Sequence, residues 1–347
     1  MREVLRSVVI GPPSSHYLGN KLFDLTDSNL NRDGTLLPFY RLHAELQARG
    51  VLLNTVDLLL KDEVRCLRSD YFSLGMLDDI SELVARGDVD FKAFLIMEPP
   101  IVAPELYEAL PKLTRLFEEV YVHNVVGDGY SLLGVDRSRL RKLYWPQPYL
   151  GVLDNFWSNA DRLNRVVVIN GNHRPRKKAG ELYSKRIEAM IALSDLGVVD
   201  LFGRGWGRWW SRTSFWLPYW LNRNKLMSIY QGACSSKYEV LSRYRYCLCF
   251  ENMQMVGYVT EKIFDCFYVG TIPLYFGAQD IGVIVPPNSY VDARNFSSWR
   301  EMWLFLSSMS DVDVEAMRHA GRCFLSSIEF LRYYNSMLLI ARLNAND

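Results

Sequence analysis

The sequence predicts an α/β protein of two domains, each built on a parallel sheet with helices on both faces. Short β-branched runs alternate with amphipathic stretches along the chain, and a second series of this kind begins after residue 164. The strand-like runs are apolar at most positions, which is typical of parallel strands buried on both faces. The 347 residues suffice for two domains of roughly 150 residues, each with its own core.

The amino-terminal half contains strands and helices in alternation. Its clearest helix is "LLPFYRLHAELQARG", in which Pro38 stands early, Leu42 and Leu46 share one face, and Gly50 is a stop signal. The other elements are the strands "SVVIG", "VLLNTVDLLL", "DFKAFLIMEPP" and "EEVYVHN" and a helix from Pro104 to about Phe117. We expect them to form a Rossmann-like domain over residues 1–147.

A connection and a second alternating series follow. The stretch "YWPQPYLGVLDNFWSNADRLN" has two prolines and no clean period, and it predicts a linker over residues 148–163. The second series comprises the strand "RVVVINGN", the helix "LYSKRIEAMIALSDLG", the strands "VVDLFGRG" and "YRYCLCFEN", a helix from Thr260, the strand "TIPLYFG", the segment "SYVDARNF", and helices from about Trp299 and Val314. It predicts a second Rossmann-like domain over residues 164–330 and a helical tail over 331–347. Two such domains leave a cleft at the carboxyl ends of both sheets, where ligands of these folds bind.

Composition and motifs argue against several classes of protein. Hydrophobic residues make up 49%, charged residues 23%, and the net charge is +1, so nothing indicates bulk nucleic-acid binding. The five histidines show no metal-ligand spacing, and neither H-E-x-x-H nor G-x-S-x-G occurs, which argues against a protein-held metal or a serine nucleophile. The six cysteines are scattered, as reduced core thiols are, and the start of the chain shows no signal peptide or membrane anchor. We therefore expect a cytoplasmic protein.

A carboxylate and an ammonium stand side by side at the predicted start of the helix from Thr260. Glu261 suits the partial positive charge of a helix amino terminus, whereas Lys262 opposes it by about 0.3 to 1 kcal/mol when exposed. An anion bound there would offset that cost, because free backbone N–H groups, the helix dipole and the ammonium would converge on it. The pair therefore indicates a phosphate site with a carboxylate beside it. The alternative is a solvated helix face, which is the usual role of an isolated charge pair.

The preceding strand supports the phosphate site. "YRYCLCFEN" is apolar up to Phe250 and then ends in Glu251 and Asn252, and a loop with Gly257 follows. Polar groups at the carboxyl end of a buried parallel strand lie where a ligand binds.

These residues resemble the donor-binding signature of a known family. "FEN", "GYVTEKIFDCFYVGTIPLYFGAQDI" and "VPPNSYVDARNF" are similar to the α1,3/4-fucosyltransferases of glycosyltransferase family 10, of the bacterial type. The resemblance is long and specific from about Tyr244 to Phe296, moderate from Val166 to Gly205 and faint before Asn124. It implies a GT-B fold, in which the first domain binds the acceptor and the second binds the donor. It also implies transfer of fucose from GDP-fucose with inversion, and no metal for donor binding.

The resemblance also implies roles for individual residues. Glu261 corresponds to a glutamate beside the fucose, and Lys262 corresponds to the lysine that binds phosphate. Arg186, in "SKRIEAM", corresponds to the phosphate arginine, whose guanidinium can hold a diphosphate as it leaves. The remaining donor-contact positions, at the ends of strands and in the loop before the helix, are Asn170, Glu251, Asn252 and Tyr258.

Inversion without a covalent intermediate needs a base that takes the proton of the acceptor hydroxyl. In the family this base is a glutamate after an amino-domain strand. Glu98 is the best candidate here, because four apolar residues lead directly into it and Pro99 and Pro100 follow. The usual glycine and asparagine are absent around Glu98, so Glu105 and Asp128 are the alternatives.

The stretch "GWGRWWSRTSFWLPYW" concentrates five tryptophans, Trp206, Trp209, Trp210, Trp216 and Trp220, with Arg208 and Arg212. We expect core packing first, since aromatic residues dominate cores and interfaces. A platform that stacks on acceptor sugars is the second interpretation. Peripheral contact of residues 206–220 with the inner face of an anionic membrane is the third.

The leading hypothesis is a fucosyltransferase that uses GDP-fucose and a bacterial surface glycan such as lipopolysaccharide. Two alternatives stay open, a GT-B transferase that uses another GDP-sugar and a non-catalytic protein that binds a nucleotide sugar or glycan. A Rossmann oxidoreductase would need G-x-G-x-x-G after the first strand, which the sequence does not supply. The sequence leaves open the oligomeric state and whether Mn²⁺ or Mg²⁺ stimulates release of GDP, although free diphosphates attract such ions.

Overall fold

The computed structural model describes residues 4–63, 66–208 and 216–342. These residues form two compact units. The first comprises the described residues up to Pro148 and from Arg332 onward, and the second comprises Tyr149–Leu331. Each unit contains a six-stranded parallel sheet, which confirms the predicted α/β class.

The sheet of the first unit has the strand order β2-β1-β3-β4-β5-β6, and all neighbouring strands are parallel. Its strands are β1 Val4–Gly11, β2 Leu53–Thr55, β3 Cys66–Ser73, β4 Val89–Leu95, β5 Glu119–Val122 and β6 Leu140–Lys142. Its helices are α1 Leu37–Ala48, α2 Val56–Leu60, α3 Ile80–Arg86, α4 Pro104–Glu108 and α5 Leu110–Leu116, with three-residue 3-10 helices at Ser15–Tyr17, Lys21–Phe23, Arg32–Gly34 and Arg137–Arg139. Separate hydrophobic cores surround Phe94 and Ile10, both of which are fully buried strand residues.

Two predictions for this unit were wrong, and one strand was missed. The run 51–60 is not one strand, because β2 ends at Thr55 and α2 begins at Val56. Strand β3 was not predicted, although it lies between β1 and β4. The helix predicted from Pro104 to about Phe117 is divided into two helices, α4 and α5, at Ala109. Pro111 stands in the first turn of α5, where a proline is tolerated.

The sheet of the second unit has the order β12-β11-β10-β7-β8-β9 and is also parallel. Its strands are β7 Leu163–Ile169, β8 Val199–Phe202, β9 Tyr230–Gly232, β10 Tyr244–Phe250, β11 Ile272–Phe276 and β12 Val291–Asp292. Strands β7 and β10 lie at its centre, so the segments that follow them lie at the same edge of the sheet. Most of β10 is buried, as its apolar sequence predicted.

Helices of the second unit pack on this sheet around a core that includes Val166, Met190 and Leu274. They are α6 Asp154–Trp157, α7 Tyr183–Asp195, α8 Leu217–Ser228, α9 Lys237–Leu241, α10 Glu261–Val269, α11 Ile281–Ile284, α12 Trp299–Ser308 and α13 Asp311–Leu325, with 3-10 helices at Pro287–Ser289 and Ala293–Asn295. Helix α14, Ile328–Tyr334, crosses the boundary of the units, and α15, Ser336–Ile340, belongs to the first. The predicted linker contains α6, and its Leu153 N–H donates to the Tyr268 carbonyl.

Candidate functional site

Glu251 is the centre of a polar cluster at the carboxyl end of β10. Its side chain is fully buried, and its Oε1 accepts a hydrogen bond from the backbone N–H of Thr260 at 2.8 Å. The Thr260 hydroxyl oxygen lies 2.9 Å from Oε2 of the same carboxylate. Gly277 gives the carboxylate room, because a Cβ there would lie 2.6 Å from Glu251 Cγ. The end of β10 is therefore tied to the start of α10.

Lys262 completes this cluster. Its Nζ donates to Glu251 Oε2 at 3.0 Å and to the Thr260 hydroxyl at 2.8 Å, and it lies 3.5 Å from Glu261 Oε1. Burial opposes the charge of Lys262, but the carboxylates of Glu251 and Glu261 outweigh it and raise its pKa above the ordinary value. The ammonium is therefore charged and held at the amino terminus of α10.

One local prediction is corrected here. Thr260 stands at the N-cap position of α10, as predicted, but its side chain makes no hydrogen bond to the helix backbone. The hydroxyl bonds to the Glu251 carboxylate instead. The first N–H groups of α10 therefore lack the side-chain cap that a threonine usually supplies.

Glu261 is the first residue of α10, and one of its oxygens has no partner. Oε2 is buried and makes no hydrogen bond within the described residues. Burial opposes the charge of Glu261, but the ammonium groups of Lys262 and Lys237 outweigh it and hold its pKa below the ordinary value. A charged, buried carboxylate oxygen without a donor is costly, at about 1 to 3 kcal/mol or more, so the site suits a ligand that donates a hydrogen bond there.

Arg186 lies on α7 and is 3% exposed. Its Nη2 donates to the carbonyl oxygens of Phe250 at 2.6 Å and Glu251 at 3.1 Å. Burial lowers the pKa of Arg186, which still leaves a guanidinium charged at neutral pH. Arg186 thus joins α7 to the end of β10 and brings a second positive charge to the cluster.

The loop between β10 and α10 is fixed on several sides. The Asn252 carbonyl accepts from the N–H of Leu182, and the N–H of Gly257 donates to Asp280 Oδ1 at 2.8 Å. Tyr258 is fully buried, and its hydroxyl accepts from Asn252 Nδ2 at 3.4 Å. The structure therefore places Asn252 and Tyr258 in one loop beside Glu251 and Lys262.

Asn170 directly follows β7, the neighbour of β10. Its backbone N–H donates to the Phe202 carbonyl at 3.1 Å, and its carbonyl accepts from the indole of Trp206 at 2.8 Å. Sequence reasoning missed Asn172 in the same turn, which is 3% exposed. No sequence signal distinguished it from the other polar residues of the stretch.

A buried ion pair below the cluster was also missed. Asp265 lies one turn after Glu261 on α10, is 4% exposed, and pairs with the ammonium of Lys237 at the start of α9. Burial raises the pKa of Asp265 to about 6, although Lys237 works in the opposite direction. Lys237 therefore interacts with carboxylates on two successive turns of α10.

The three candidate bases lie in the first unit. Glu98 follows β4, which ends three residues earlier at Leu95, and its carbonyl accepts from the Tyr107 hydroxyl at 3.1 Å. Asp128 lies in the loop after β5, where its N–H donates to Asn124 Oδ1 at 3.0 Å. Glu105 is exposed in the first turn of α4. Glu98 and Asp128 thus lie in loops that follow neighbouring strands, β4 and β5, whereas Glu105 lies on helix α4.

The tryptophan-rich stretch is described in part. Trp206 is 2% exposed and packs in the core of the second unit, which confirms the packing interpretation for that residue. Trp216 is partly buried against the same core, whereas Trp220 is exposed on α8. Trp209, Trp210 and Arg212 lie outside the described residues.

Within the described ranges 4–63, 66–208 and 216–342, no helix combines the length and hydropathy that a membrane span needs. In the same ranges, no three histidine, cysteine, aspartate or glutamate side chains are grouped so that they would hold a metal ion.

Sequence comparison finds relatives over the region of the polar cluster. Residues 168–320 match the family model of glycosyltransferase family 10 (fucosyltransferase), carboxyl-terminal part. The chain is 44% identical over 66 residues to an α-(1,3)-fucosyltransferase of Helicobacter pylori, which is 19% of this chain and 14% of that protein. It is 37% identical over 71 residues to an α-(1,4)-fucosyltransferase of Arabidopsis thaliana, which is 20% of this chain and 18% of that protein. The matches thus span less than a fifth of these relatives.

Structure comparison extends the likeness to the whole fold. The crystal structure of an α1,3-fucosyltransferase with GDP superposes with a TM-score of 0.51 at 13% identity, covering 99% of this chain and 92% of that one. This likeness concerns the fold alone. The GT-B fold class is confirmed, and so is the family resemblance of the region around Glu251, Arg186 and Lys262. Residues 168–320 thus match the carboxyl-terminal model of glycosyltransferase family 10, the fucosyltransferase family.

Proposed function

We propose that this protein transfers fucose from GDP-fucose to a hydroxyl group of a glycan acceptor, with inversion at the anomeric carbon. One observation carries the proposal. Within the family segment 168–320, two cations, Lys262 and Arg186, both bond to Glu251, and Lys262 also lies 3.5 Å from Glu261, whose buried Oε2 has no partner among the described residues. This set suits a ligand that combines a diphosphate with a sugar hydroxyl.

The two cations are proposed to bind the diphosphate. Lys262 presents its ammonium at the uncapped amino terminus of α10, where helix dipole and backbone N–H groups favour an anion. The bonds of Arg186 come from Nη2, and a guanidinium has further N–H donors for a phosphate oxygen. Both charges would stabilise GDP as the bond to fucose breaks. GDP is the nucleotide named with the fucosyltransferase of similar fold.

Glu261 is proposed to bind the sugar. Its unpartnered Oε2 would accept a hydrogen bond from a fucose hydroxyl, and its negative charge would stabilise the positive charge that develops at the anomeric carbon. Because Lys262 and Lys237 keep Glu261 ionised, it is suited to charge stabilisation rather than to proton donation.

Glu98 is proposed as the base. The acceptor oxygen forms a bond to the anomeric carbon while the bond from that carbon to the GDP oxygen breaks, and the hydroxyl proton passes to the Glu98 carboxylate. A positioned carboxylate contributes roughly 10² to 10⁴ in rate. Asn170, Glu251, Asn252 and Tyr258 are proposed to complete the donor site, Glu251 by holding Lys262 in place.

The acceptor is proposed to be a bacterial surface glycan, such as a lipopolysaccharide chain, and the linkage α1,3, as in the name of the Helicobacter relative. Transfer at the cytoplasmic side of the membrane would fit such an acceptor. Trp220 is exposed on α8, and its ring is proposed to contact a sugar or a membrane surface.

A transfer assay tests the proposed function. The purified protein is incubated with lipopolysaccharide-type oligosaccharides and either GDP-fucose, GDP-mannose or UDP-glucose, and the products are analysed by mass spectrometry and NMR. We expect a product one deoxyhexose heavier with GDP-fucose alone, with an α linkage formed from the β-linked donor. A product formed with another GDP-sugar, or a β linkage, would contradict the donor or the stereochemistry respectively.

A further inference from the structure

The turn after β7 carries two asparagine amides that each leave one buried atom unpartnered. Asn170 Nδ2 donates to the Gly171 carbonyl at 3.0 Å, and its Oδ1 is buried without a hydrogen bond. Asn172 Oδ1 accepts from the Trp216 indole at 3.4 Å, and its Nδ2 is buried without one. Because an amide has distinct donor and acceptor ends, each existing bond fixes which end stays unpartnered. The turn thus presents one acceptor and one donor without partners among the described residues.

The backbone holds these amides in place. The N–H of Asn172 donates to the Arg204 carbonyl at 2.9 Å. The Asn170 N–H donates to the carbonyl of Phe202 at the end of β8, and the Asn170 carbonyl accepts from the Trp206 indole. Gly203 permits this approach, since a Cβ there would lie 1.9 Å from the Asn170 carbonyl oxygen. A buried polar atom without a partner costs about 1 to 3 kcal/mol, and the fixed turn cannot relieve that cost by moving. A ligand that supplies the missing partners would recover it.

The turn lies beside the proposed diphosphate site. Strand β7 pairs with β10, so the turn that follows β7 lies next to the segment of Glu251. Arg186 donates to the carbonyl of Phe250 at the end of β10, so its guanidinium lies at the edge of the sheet where the turn after β7 also lies. A ligand anchored by Arg186 therefore has the turn within reach.

We propose that Asn170 and Asn172 bind the nucleobase of the donor, Asn170 Oδ1 accepting a hydrogen bond from the base and Asn172 Nδ2 donating one to it. The inference rests on the proposed function, and it assigns Asn172 as a base-binding residue. Guanine fits because one edge of its ring presents an N–H donor next to a carbonyl acceptor. A base, unlike a phosphate, supplies both a donor and an acceptor.

Calorimetric titration with two probes tests this assignment. GDP carries the base, whereas inorganic pyrophosphate carries only the phosphates. For Asn172→Ala we expect the Kd of GDP to rise about tenfold or more, since a lost buried hydrogen bond of about 1.4 kcal/mol is tenfold in affinity, and the Kd of pyrophosphate to stay within about twofold. Asn222→Ala is the matched control, because the Asn222 amide bonds to the Pro218 carbonyl within α8. It should change neither value.

The outcomes separate the two proposals. An unchanged GDP affinity in Asn172→Ala, or an equal loss for GDP and pyrophosphate, overturns the assignment of Asn172 and leaves the proposed function intact. A wild-type protein that does not bind GDP overturns both. If Asn172→Ala does not fold, Asn172→Gln moves the same amide by one methylene, and the same selective loss of GDP is expected.

Discussion

The ammonium of Lys262 lies 3.0 Å from Oε2 of Glu251, a carboxylate that is fully buried at the end of β10. A buried carboxylate needs a partner of opposite charge, and Lys262 supplies it from the first turn of α10. The pair explains why a helix tolerates a lysine where its own dipole is positive. It also means that Lys262 is held in position before any ligand binds.

Lys262→Ala is expected to lower both stability and GDP affinity. It leaves the Glu251 charge buried without its ion-pair partner, for which the free energy of unfolding falls by roughly 3 to 5 kcal/mol. Denaturant unfolding measures this loss, and calorimetry measures binding of GDP. The double variant Lys262→Ala/Glu251→Gln separates the two effects, because it removes both charges. It should recover part of the stability and none of the GDP affinity; recovery of binding would exclude a direct phosphate contact by Lys262.

Gly277→Ala is expected to disturb the cluster without removing any polar group. Its Cβ would lie 2.6 Å from Glu251 Cγ and 2.5 Å from the Tyr275 hydroxyl oxygen, so the carboxylate must move. We expect a loss of about 1 to 3 kcal/mol in the free energy of unfolding, as for other overpacked sites, and weaker GDP binding. Gly207→Ala is the control, because among the described residues its Cβ would meet only Tyr230 Cε1, at 3.8 Å. Equal free energies of unfolding and equal GDP affinities of the two variants would show that the position of Glu251 does not matter for stability or binding.

Asp265 predicts a pH dependence of stability. Its pKa is about 6 in the folded protein against an ordinary value of 3.8, because burial disfavours its charge. Between these values the folded state keeps a proton that the unfolded state has lost, so this group contributes less stability as pH rises from about 4 to about 6. The Asp265→Asn variant lacks that contribution.

The free energy of unfolding of the wild type minus that of Asp265→Asn should therefore fall as the pH rises from about 4 to about 6, and it should level off at higher pH. A shift of roughly 1 to 3 kcal/mol is expected at 1.36 kcal/mol per pKa unit. Chemical denaturation at several pH values measures it. Asp195→Asn removes the carboxylate of an exposed pair with Lys225 and is the control. If the difference in unfolding free energy between wild type and Asp265→Asn does not change with pH, the Asp265 carboxylate has an ordinary pKa in the folded protein.

Glu98→Gln is expected to keep GDP-fucose binding and to lower turnover by roughly 10² to 10⁴, since the amide cannot take the acceptor proton. Steady-state kinetics with saturating donor measures the turnover. Glu105→Gln and Asp128→Asn are the matched controls. If Glu98→Gln is fully active and one control is not, the base is the residue altered in that control.

Much of the fold follows from patterns within short segments. The apolar runs of β7 and β10 and the alternation with helices predicted both sheets. Strand β3 was missed because Arg68 and Asp70 interrupt its apolar pattern. In the fold these charges are compensated across the neighbouring strand, by Asp90 and Lys92 respectively. Such pairing depends on strand order, which a single segment does not reveal.

In the candidate site, too, local features were predicted and features that depend on distant residues were not. Glu261 was placed at the start of a helix from local signals alone, and α10 begins at that residue. Asn172 and Asp265 were not predicted, because their partners Trp216 and Lys237 are distant in sequence. The role expected for Thr260 as a helix cap changed for a similar reason, since Glu251 competes for its hydroxyl.

The central claim is that the segment around Glu251 and Lys262 binds the diphosphate of a guanine nucleotide. Calorimetric titration of the wild-type protein with GDP, and with UDP and NAD in parallel, tests it most directly. The account predicts binding of GDP that weakens tenfold or more, about 1.4 kcal/mol, in Lys262→Ala, and weak or no binding of UDP and NAD. Absence of GDP binding, or equal GDP affinity in the folded Lys262→Ala variant, would contradict it.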